Sequence, residues 1–311
     1  MNTYFEVLSV NISEKKGTIK KPVEYIDLFE KGVKNDAHSG LWHRQVSLLG
    51  VESFKKFSVE AKREVEFGEF AENITTKGIE LYKTLPLDIF YNDNVILEVT
   101  QIGKKCHGAG CAIYNEVGNC VMPKEGIFAR VIKNGIVRKN DKFQYQPKVI
   151  TVKIITLSDR ASIGEYTDRS GPKIEQLITE YFKAKNRHLS INIKVIPDEA
   201  NLLEKLILDS VKNNYDIIIT TGGTGIGPRD ITPDIVKKLL DKEIPGIMES
   251  IRLKYGQDKP AALLSRSIAG IIGKTQIYTL PGSVKAVEEY MTEISKHIEH
   301  ILYMLNGLDL H

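Results

Sequence analysis

The amino-acid sequence predicts two domains of different class. Residues 1–145 read as a compact, mostly-β domain, and residues 148–311 as an α/β domain on a mainly parallel sheet. Three observations carry this. At 311 residues the chain is long enough for about two hydrophobic cores. Short β-like runs separated by turn formers fill the first half, whereas strands alternate with amphipathic helices in the second. Over Tyr215–Asp234 a strand, a glycine-rich loop and a helix start follow one another, as at the C-terminal edge of a parallel sheet.

The first half is read in order. Phe5, Val7 and Leu8 belong to a first strand, and Gln45–Leu49, Val95–Ile102, Gly126–Ile132 and Gly135–Val137 supply further short runs. Asn92-Asp93, Asn115, Gly118 and Asn134-Gly135 punctuate them. One short helix fits near Val51–Phe57. This pattern suits a barrel or a sandwich. Phe143–Lys148 reads as a connector, with Pro147 as its stiff point.

In the second half, Val149–Leu157 is a strand ending in Ser158-Asp159-Arg160. Ser170–Phe182 is an amphipathic helix with Ile174, Leu177, Ile178, Tyr181 and Phe182 at helical spacing. Ile191, Ile193 and Val195 alternate as a strand before Pro197-Asp198-Glu199, and Leu202, Leu203, Leu206 and Ile207 mark the next helix. Ile217, Ile218 and Ile219 form a buried strand that runs into Gly222, Gly223, Gly225 and Gly227. Thr232 is a good N-cap and Pro233 a good first residue for a helix to Leu240. A helix over Ile244–Tyr255, a strand over Gln276–Leu280 and one long closing helix over Val284–Leu305, with Val284, Val287, Met291, Ile294, Ile298 and Ile301 as an apolar stripe for a core or a subunit contact, complete the pattern.

Composition narrows the function classes. Apolar residues make up 42% and charged residues 27%, an ordinary globular balance. A net charge of +3 without a dense basic run argues against nucleic acid as partner. No apolar stretch is long enough to span a membrane, and the N-terminus lacks the features of a signal peptide. Cys106, Cys111 and Cys120 are odd in number and crowded together, which points away from a disulfide framework and toward a reducing cytoplasm.

Several stretches could carry chemistry. The loop after Ile219 presents free N–H groups and a helix start to an anion, with Arg229 to hold phosphate and Asp230 to hold Mg²⁺. Its spacing is neither a Walker A loop nor a dinucleotide fingerprint, and Gly270–Thr275 (GIIGKT) is a Walker decoy two residues short. Ser158-Asp159 and Asp198 follow other strand ends on the same expected edge, so three carboxylates can converge beside the loop. In the first half, Asp36–Gly40 with His43 and Arg44 lines a site or forms a solvated loop. Phe67–Ile74, with Glu72 and Asn73, reads as an ordinary turn. Gly103–Pro123 packs three thiols and His107 together, and Lys104 and Lys105 would lower the Cys106 thiol pKa. A zinc site and inert buried cysteines are the alternatives there.

Two family resemblances rest on these residues. The set DAHSG with Arg44, FGEFAENI, GKKCH and CVMPKEGIFARVI resembles the MOSC domain, named for the C-terminal part of molybdenum-cofactor sulfurases. The resemblance implies a β-barrel that binds the pterin form of molybdenum. Its ligand residues would include His38 and Arg44, with Cys106, or alternatively Cys111, touching molybdenum or sulfur. The set ITLSDRAS, IPDE, TTGGTGIGPRDITPD, LSRSIAG and LPGS is similar to the molybdopterin adenylyltransferases of the MogA/MoaB group. That similarity implies a three-layer α/β domain, a homotrimer, and transfer of AMP from Mg-ATP to molybdopterin. Asp198 and Asp230 would be catalytic and hold Mg²⁺. Ser158, Asp159, Thr221, Gly222, Gly223, Thr224, Gly225, Arg229, Ser265 and Ser283 would bind nucleotide or pterin. Pro281-Gly282-Ser283 is the MoaB-like form, which keeps a non-catalytic pterin carrier as the alternative. A third reading makes Cys106 a persulfide carrier.

Overall fold

The computed structural model describes residues 4–105 and 121–308. The chain divides into two compact units, one of Met1–Lys148 with Leu308–His311 and one of Val149–Gly307. Among the described residues no helix is long and apolar enough to cross a membrane.

The first unit is a closed barrel. Its strands are β1 (Tyr4–Ile12), β2 (Lys21–Val23), β3 (Tyr25–Phe29), β4 (Gly32–Val33), β5 (Val46–Gly50), β6 (Ile74–Lys77), β7 (Ile89–Tyr91), β8 (Ile96–Ile102), β9 (Ile127–Lys133), β10 (Gly135–Arg138) and β11 (Lys142–Gln146). The order β11-β7-β8-β9-β5-β6-β1 closes because β11 also pairs with β1, with Phe5 opposite Phe143. Closure leaves these seven strands without a free edge. Alternate residues then point inward, and Val7, Leu48, Phe90, Leu97 and Val99 are fully buried there. Phe5 stacks on Phe143 at 5.5 Å and meets Phe90 edge-on at 5.0 Å. Phe143–Lys148 is therefore not a connector: through residue 146 it is the strand that closes the barrel, and Phe143 fills the core. The helix Val51–Ala61 runs longer than the sequence pattern marks.

The second unit is a three-layer α/β fold. Its sheet comprises β12 (Val149–Leu157), β13 (His188–Ile196), β14 (Ile217–Thr221), β15 (Lys242–Glu243), β16 (Ala269–Ile272) and β17 (Thr275–Leu280), in the order β13-β12-β14-β17-β16-β15. The first four in that order run parallel, β16 runs antiparallel to β17, and β15 runs antiparallel to β16. Ile155, Leu157, Ile218 and Ile277 pack against Leu203 and Ile207 of the helix Ala200–Lys212 and Val236 of the helix Thr232–Leu239. A second group of helices, Ser170–Ala184, Pro245–Gly256 and Val284–Ile294, packs together, with Ser170–Ala184 against β12 and Val284–Ile294 against β17.

Two readings of this half are corrected, and a third holds. The closing helix is two helices, Val284–Ile294 and Ile298–Leu305. The N–H groups of Lys296 and His297 bond three residues back, to Glu293 and Ile294, and this tighter turn interrupts the helical ladder. The decoy GIIGKT is the hairpin joining β16 to β17, turned by Gly273 at φ +59°. Thr232 is a helical residue and not the cap: Ile231 precedes the helix, and the Thr232 hydroxyl donates to the Gly222 carbonyl at 2.9 Å.

Candidate functional site

The parallel register brings four strand ends to one edge. Leu157 lies opposite Ile196, Thr156 opposite Thr221, and Thr221 opposite Leu280. The next residues of each strand, Ser158, Asp198, the glycine loop and Ser283, therefore start from one line. Gly222 and Gly223 have φ of +99° and +62°, in the left-handed region that side chains disfavour. A Cβ on Gly223 would lie 2.6 Å from Thr232 Oγ1 and 3.3 Å from Asp198 Oδ1. One on Gly225 would lie 2.7 Å from Asp230 Oδ2. The loop is thus walled by Asp198 on one side and Asp230 on the other.

The carboxylates differ in surroundings. Asp198 and Asp159 exchange bonds: the Asp159 N–H donates to Asp198 Oδ2 at 3.2 Å, and the Asp198 N–H to Asp159 Oδ1 at 3.0 Å. Burial raises the Asp198 carboxyl above its ordinary value; the Asp159 N–H opposes this, while the charges of Asp159 and Asp230 add to it. A cation beside the loop would relieve that repulsion. Arg229 grips Asp159 with Nε at 3.1 Å and Nη2 at 2.7 Å, which holds the Asp159 carboxyl below its ordinary value. The Asp230 carboxylate turns back to accept the Gly227 N–H at 2.8 Å. Ser158 caps the short helix Asp159–Ser162 by accepting from the Ala161 N–H at 3.2 Å. The buried Thr221 hydroxyl donates to the Pro281 carbonyl at 3.0 Å.

Gly222, Gly223, Thr224, Gly225, Asp230, Ser265 and Ser283 line one cavity of about 680 Å³. Ser158, Asp159, Thr221, Asp198 and Arg229 do not line it. Four ionisable residues outside the sequence-marked set do: Lys259, Lys285, Glu289 and Tyr290. Tyr290 lies in a stretch read for its apolar stripe, but its hydroxyl donates to Ser265 Oγ at 3.0 Å. Among the described residues no three His, Cys, Asp or Glu side chains are placed to hold a metal alone. Two carboxylates beside an anion loop suit a cation that draws its remaining ligands from phosphate and water.

The barrel holds a second cavity, of about 330 Å³. Lys16, His38, Arg44 and Lys104 face it beside Trp42 and Phe128. The Arg44 guanidinium lies 4.7 Å from the Trp42 ring centroid, and its buried Nε has no hydrogen-bond partner among the described residues. Nearby, Asp36 accepts from buried Lys20, from Asn73 Nδ2 at 3.2 Å and from the His38 N–H at 3.0 Å. Burial would raise the Asp36 carboxyl, but His38 and Lys20 overcome it and hold it well below the carboxylate range. Glu72 is fully buried, bonded by the Gly68 N–H and by Thr75 Oγ1 at 2.8 Å, and burial pushes its carboxyl up to about 7. Phe67–Ile74 is therefore not an ordinary turn, because Glu72 and Asn73 are interior residues. Cys106, His107, Cys111 and Cys120, with Asn115 and Gly118, lie outside the described residues.

Comparison with known proteins follows the same division. Residues 153–300 match the family described as a probable molybdopterin binding domain, and residues 35–144 match the MOSC domain. Gephyrin of Dictyostelium discoideum is 42% identical over 162 residues, which are 50% of this chain but only 22% of gephyrin. A molybdopterin adenylyltransferase of Helicobacter pylori is 35% identical over 161 residues, 51% of this chain and 90% of that protein. The crystal structure of the tungsten cofactor synthesizing protein MoaB from Pyrococcus furiosus is 36% identical and aligns with a TM-score of 0.45, covering 51% of this chain and 98% of that one.

Proposed function

The chain belongs to the molybdopterin adenylyltransferase family through its second half and carries a MOSC domain in its first, and from that premise we propose that it works in molybdenum cofactor biosynthesis by transferring AMP from ATP to molybdopterin. The observation that carries the reading is the glycine loop walled by Asp198 and Asp230 and opening on the cavity of about 680 Å³.

In the reaction a terminal phosphate oxygen of molybdopterin bonds to the α-phosphorus of ATP. The bond from that phosphorus to the bridging oxygen of the β-phosphate breaks, and pyrophosphate leaves with the electron pair. No covalent enzyme intermediate is needed, so the protein's task is placement and charge neutralisation. The backbone N–H groups of Gly223, Thr224 and Gly225 hold phosphate, and Ser265 and Ser283, which line the same cavity, orient the ligand. Asp198 and Asp230 would hold Mg²⁺, whose chemistry is to neutralise charge on the phosphates. Tyr290 fixes the Ser265 hydroxyl. Incubation of the purified chain with molybdopterin and Mg-ATP, followed by mass spectrometry, should give adenylylated pterin and pyrophosphate in equal amounts. Recovery of unmodified molybdopterin alone would refute the reading.

A second reading, a pterin carrier without chemistry, has two observations in its favour. Arg229 is committed to Asp159, and Asp198 stands behind the loop and not in the cavity lining. For the first half we propose that the cationic cavity holds the pterin or molybdenum product. His38 and Arg44 would take its anionic groups, and Cys106 or Cys111 would meet molybdenum or sulfur.

A further inference from the structure

We propose that Arg266 is a positioning residue that holds the loop Thr224–Asp230 in its ligand-binding shape, an inference that rests on the AMP-transfer reading. Arg266 spans more of the loop than any residue the sequence singles out. Its N–H donates to the Thr224 carbonyl at 2.9 Å and its Nε to the Gly225 carbonyl at 2.7 Å. Its Nη2 donates to the Asp230 carbonyl, and its Nη1 reaches both carboxylate oxygens of Asp234 at 2.8 and 2.9 Å. One planar fork thus ties the start of the loop, its end and the helix Thr232–Leu239 together.

The other side of Arg266 is anchored. Ser265 Oγ accepts from Tyr290, and Arg252 Nη1 donates to the Ser267 carbonyl at 2.9 Å. Those partners lie on the helices Val284–Ile294 and Pro245–Gly256. The loop's other ties are the bonds between Gly227 and Asp230 and the exposed Arg229–Asp159 pair; Gly225 and Gly227 bring large backbone freedom, and Ile226 between them is 73% exposed. Arg266 thus joins a fixed segment to a soft one, and the Asp230 carboxylate depends on the backbone it holds. The fork is partly open to solvent, with 36% of the Arg266 side chain exposed, so the freed carbonyls can rehydrate if it is removed. Loss of Arg266 should therefore displace the loop without unfolding the unit. A lysine reaches only one of the acceptors and should not substitute.

The test uses the full chain with Arg266→Ala, Arg266→Lys and Asp234→Asn. Because a displacement of about 1 Å can cost about a hundredfold in rate, kcat for AMP transfer should fall on that order in Arg266→Ala. Arg266→Lys should recover no more than about a tenth of the wild-type rate, and Asp234→Asn should lie between lysine and wild type. Amide exchange should be at least about tenfold faster at Gly227 and Asp230 in Arg266→Ala, with β12 and β14 protected as in the wild type. Wild-type kcat in Arg266→Ala or Arg266→Lys, or unchanged exchange at Gly227 and Asp230, would overturn the proposal. If the wild-type chain transfers no AMP, the functional reading fails and the exchange comparison alone decides Arg266. If Arg266→Ala does not fold, the same two readouts on Arg266→Lys decide it.

Discussion

The two units build their cavities by opposite means. In the second unit the phosphate loop is main chain: Gly222 and Gly223 sit at positive φ, and the charged rim is open, with the Arg229 and Asp159 side chains 64% and 47% exposed. In the barrel the cavity rests on a side-chain network in which Lys20 and Asp36 are each 1% exposed and Glu72 is fully buried. An exposed ion pair contributes little to stability, whereas removing one partner of a buried pair costs about 3–5 kcal/mol. The loop should therefore tolerate changed rim charges and fail when its backbone is altered or its ligand carboxylates are lost. The barrel should answer to pH and to the loss of single buried charges.

The largest effect expected is chemical. Asp230→Asn keeps an acceptor for the Gly227 N–H but loses the charge, so AMP transfer should fall by at least about a hundredfold in a pyrophosphate-release assay. Circular dichroism should show the fold intact. Full activity in that variant would remove Asp230 from the mechanism. Next comes the backbone. Gly223→Val places a Cβ 2.6 Å from Thr232 Oγ1 at φ +62°, at a cost of about 1–3 kcal/mol in strain. Molybdopterin affinity by titration should fall by at least about tenfold. Unchanged affinity would reduce the loop to a turn.

The barrel gives the contrasting prediction. A carboxyl raised to about 7 keeps its proton in the folded unit over a range where the unfolded chain has lost it. The unfolded state then binds fewer protons, so the stability from Glu72 is full below about pH 4.5 and lost as pH rises through about 7. The displacement of about 2.5 pH units corresponds to at most about 3–4 kcal/mol, because about 1.36 kcal/mol accompanies each unit. Glu72→Gln should flatten the stability of the barrel between pH 5 and pH 8 in denaturant titrations. A slope equal to that of the wild type would place the proton elsewhere. Asp36 acts in the opposite sense, since its depressed carboxyl gives stability that is lost at acid pH. The smallest effect is an expected absence: Cys106→Ser and Cys111→Ser should leave AMP transfer within about twofold, because the second unit has a core of its own. If Cys106→Ser stops transfer, the two halves share one site.

This contrast also explains what the sequence made legible. A main-chain site leaves a local signature, because strand, glycines and helix start must be adjacent along the chain, and residues 217–232 display them in order. The strand ends carrying Ser158 and Asp198 followed from sheet periodicity. Arg266 lies within the LSRSIAG stretch, but its role did not follow, because nothing local distinguishes a clamp from a surface arginine and its partners lie 32 to 42 residues away. Tyr290 was hidden by an apolar stripe that the packing alone explains. In the barrel, Lys20, Asp36 and Asn73 meet only after closure, so Glu72 and Asn73 looked like turn residues. β11 looked like a linker because a short strand beside a proline has little periodicity.

The most direct test follows the label in ATP. The full chain is incubated with molybdopterin and Mg²⁺ in parallel reactions, one with ATP labelled on the α-phosphate and one with ATP labelled on the γ-phosphate. The account predicts that the α label moves to the pterin and the γ label leaves as pyrophosphate, and that neither occurs with Asp230→Asn. Retention of both labels in ATP while molybdopterin stays bound would contradict it and leave a carrier.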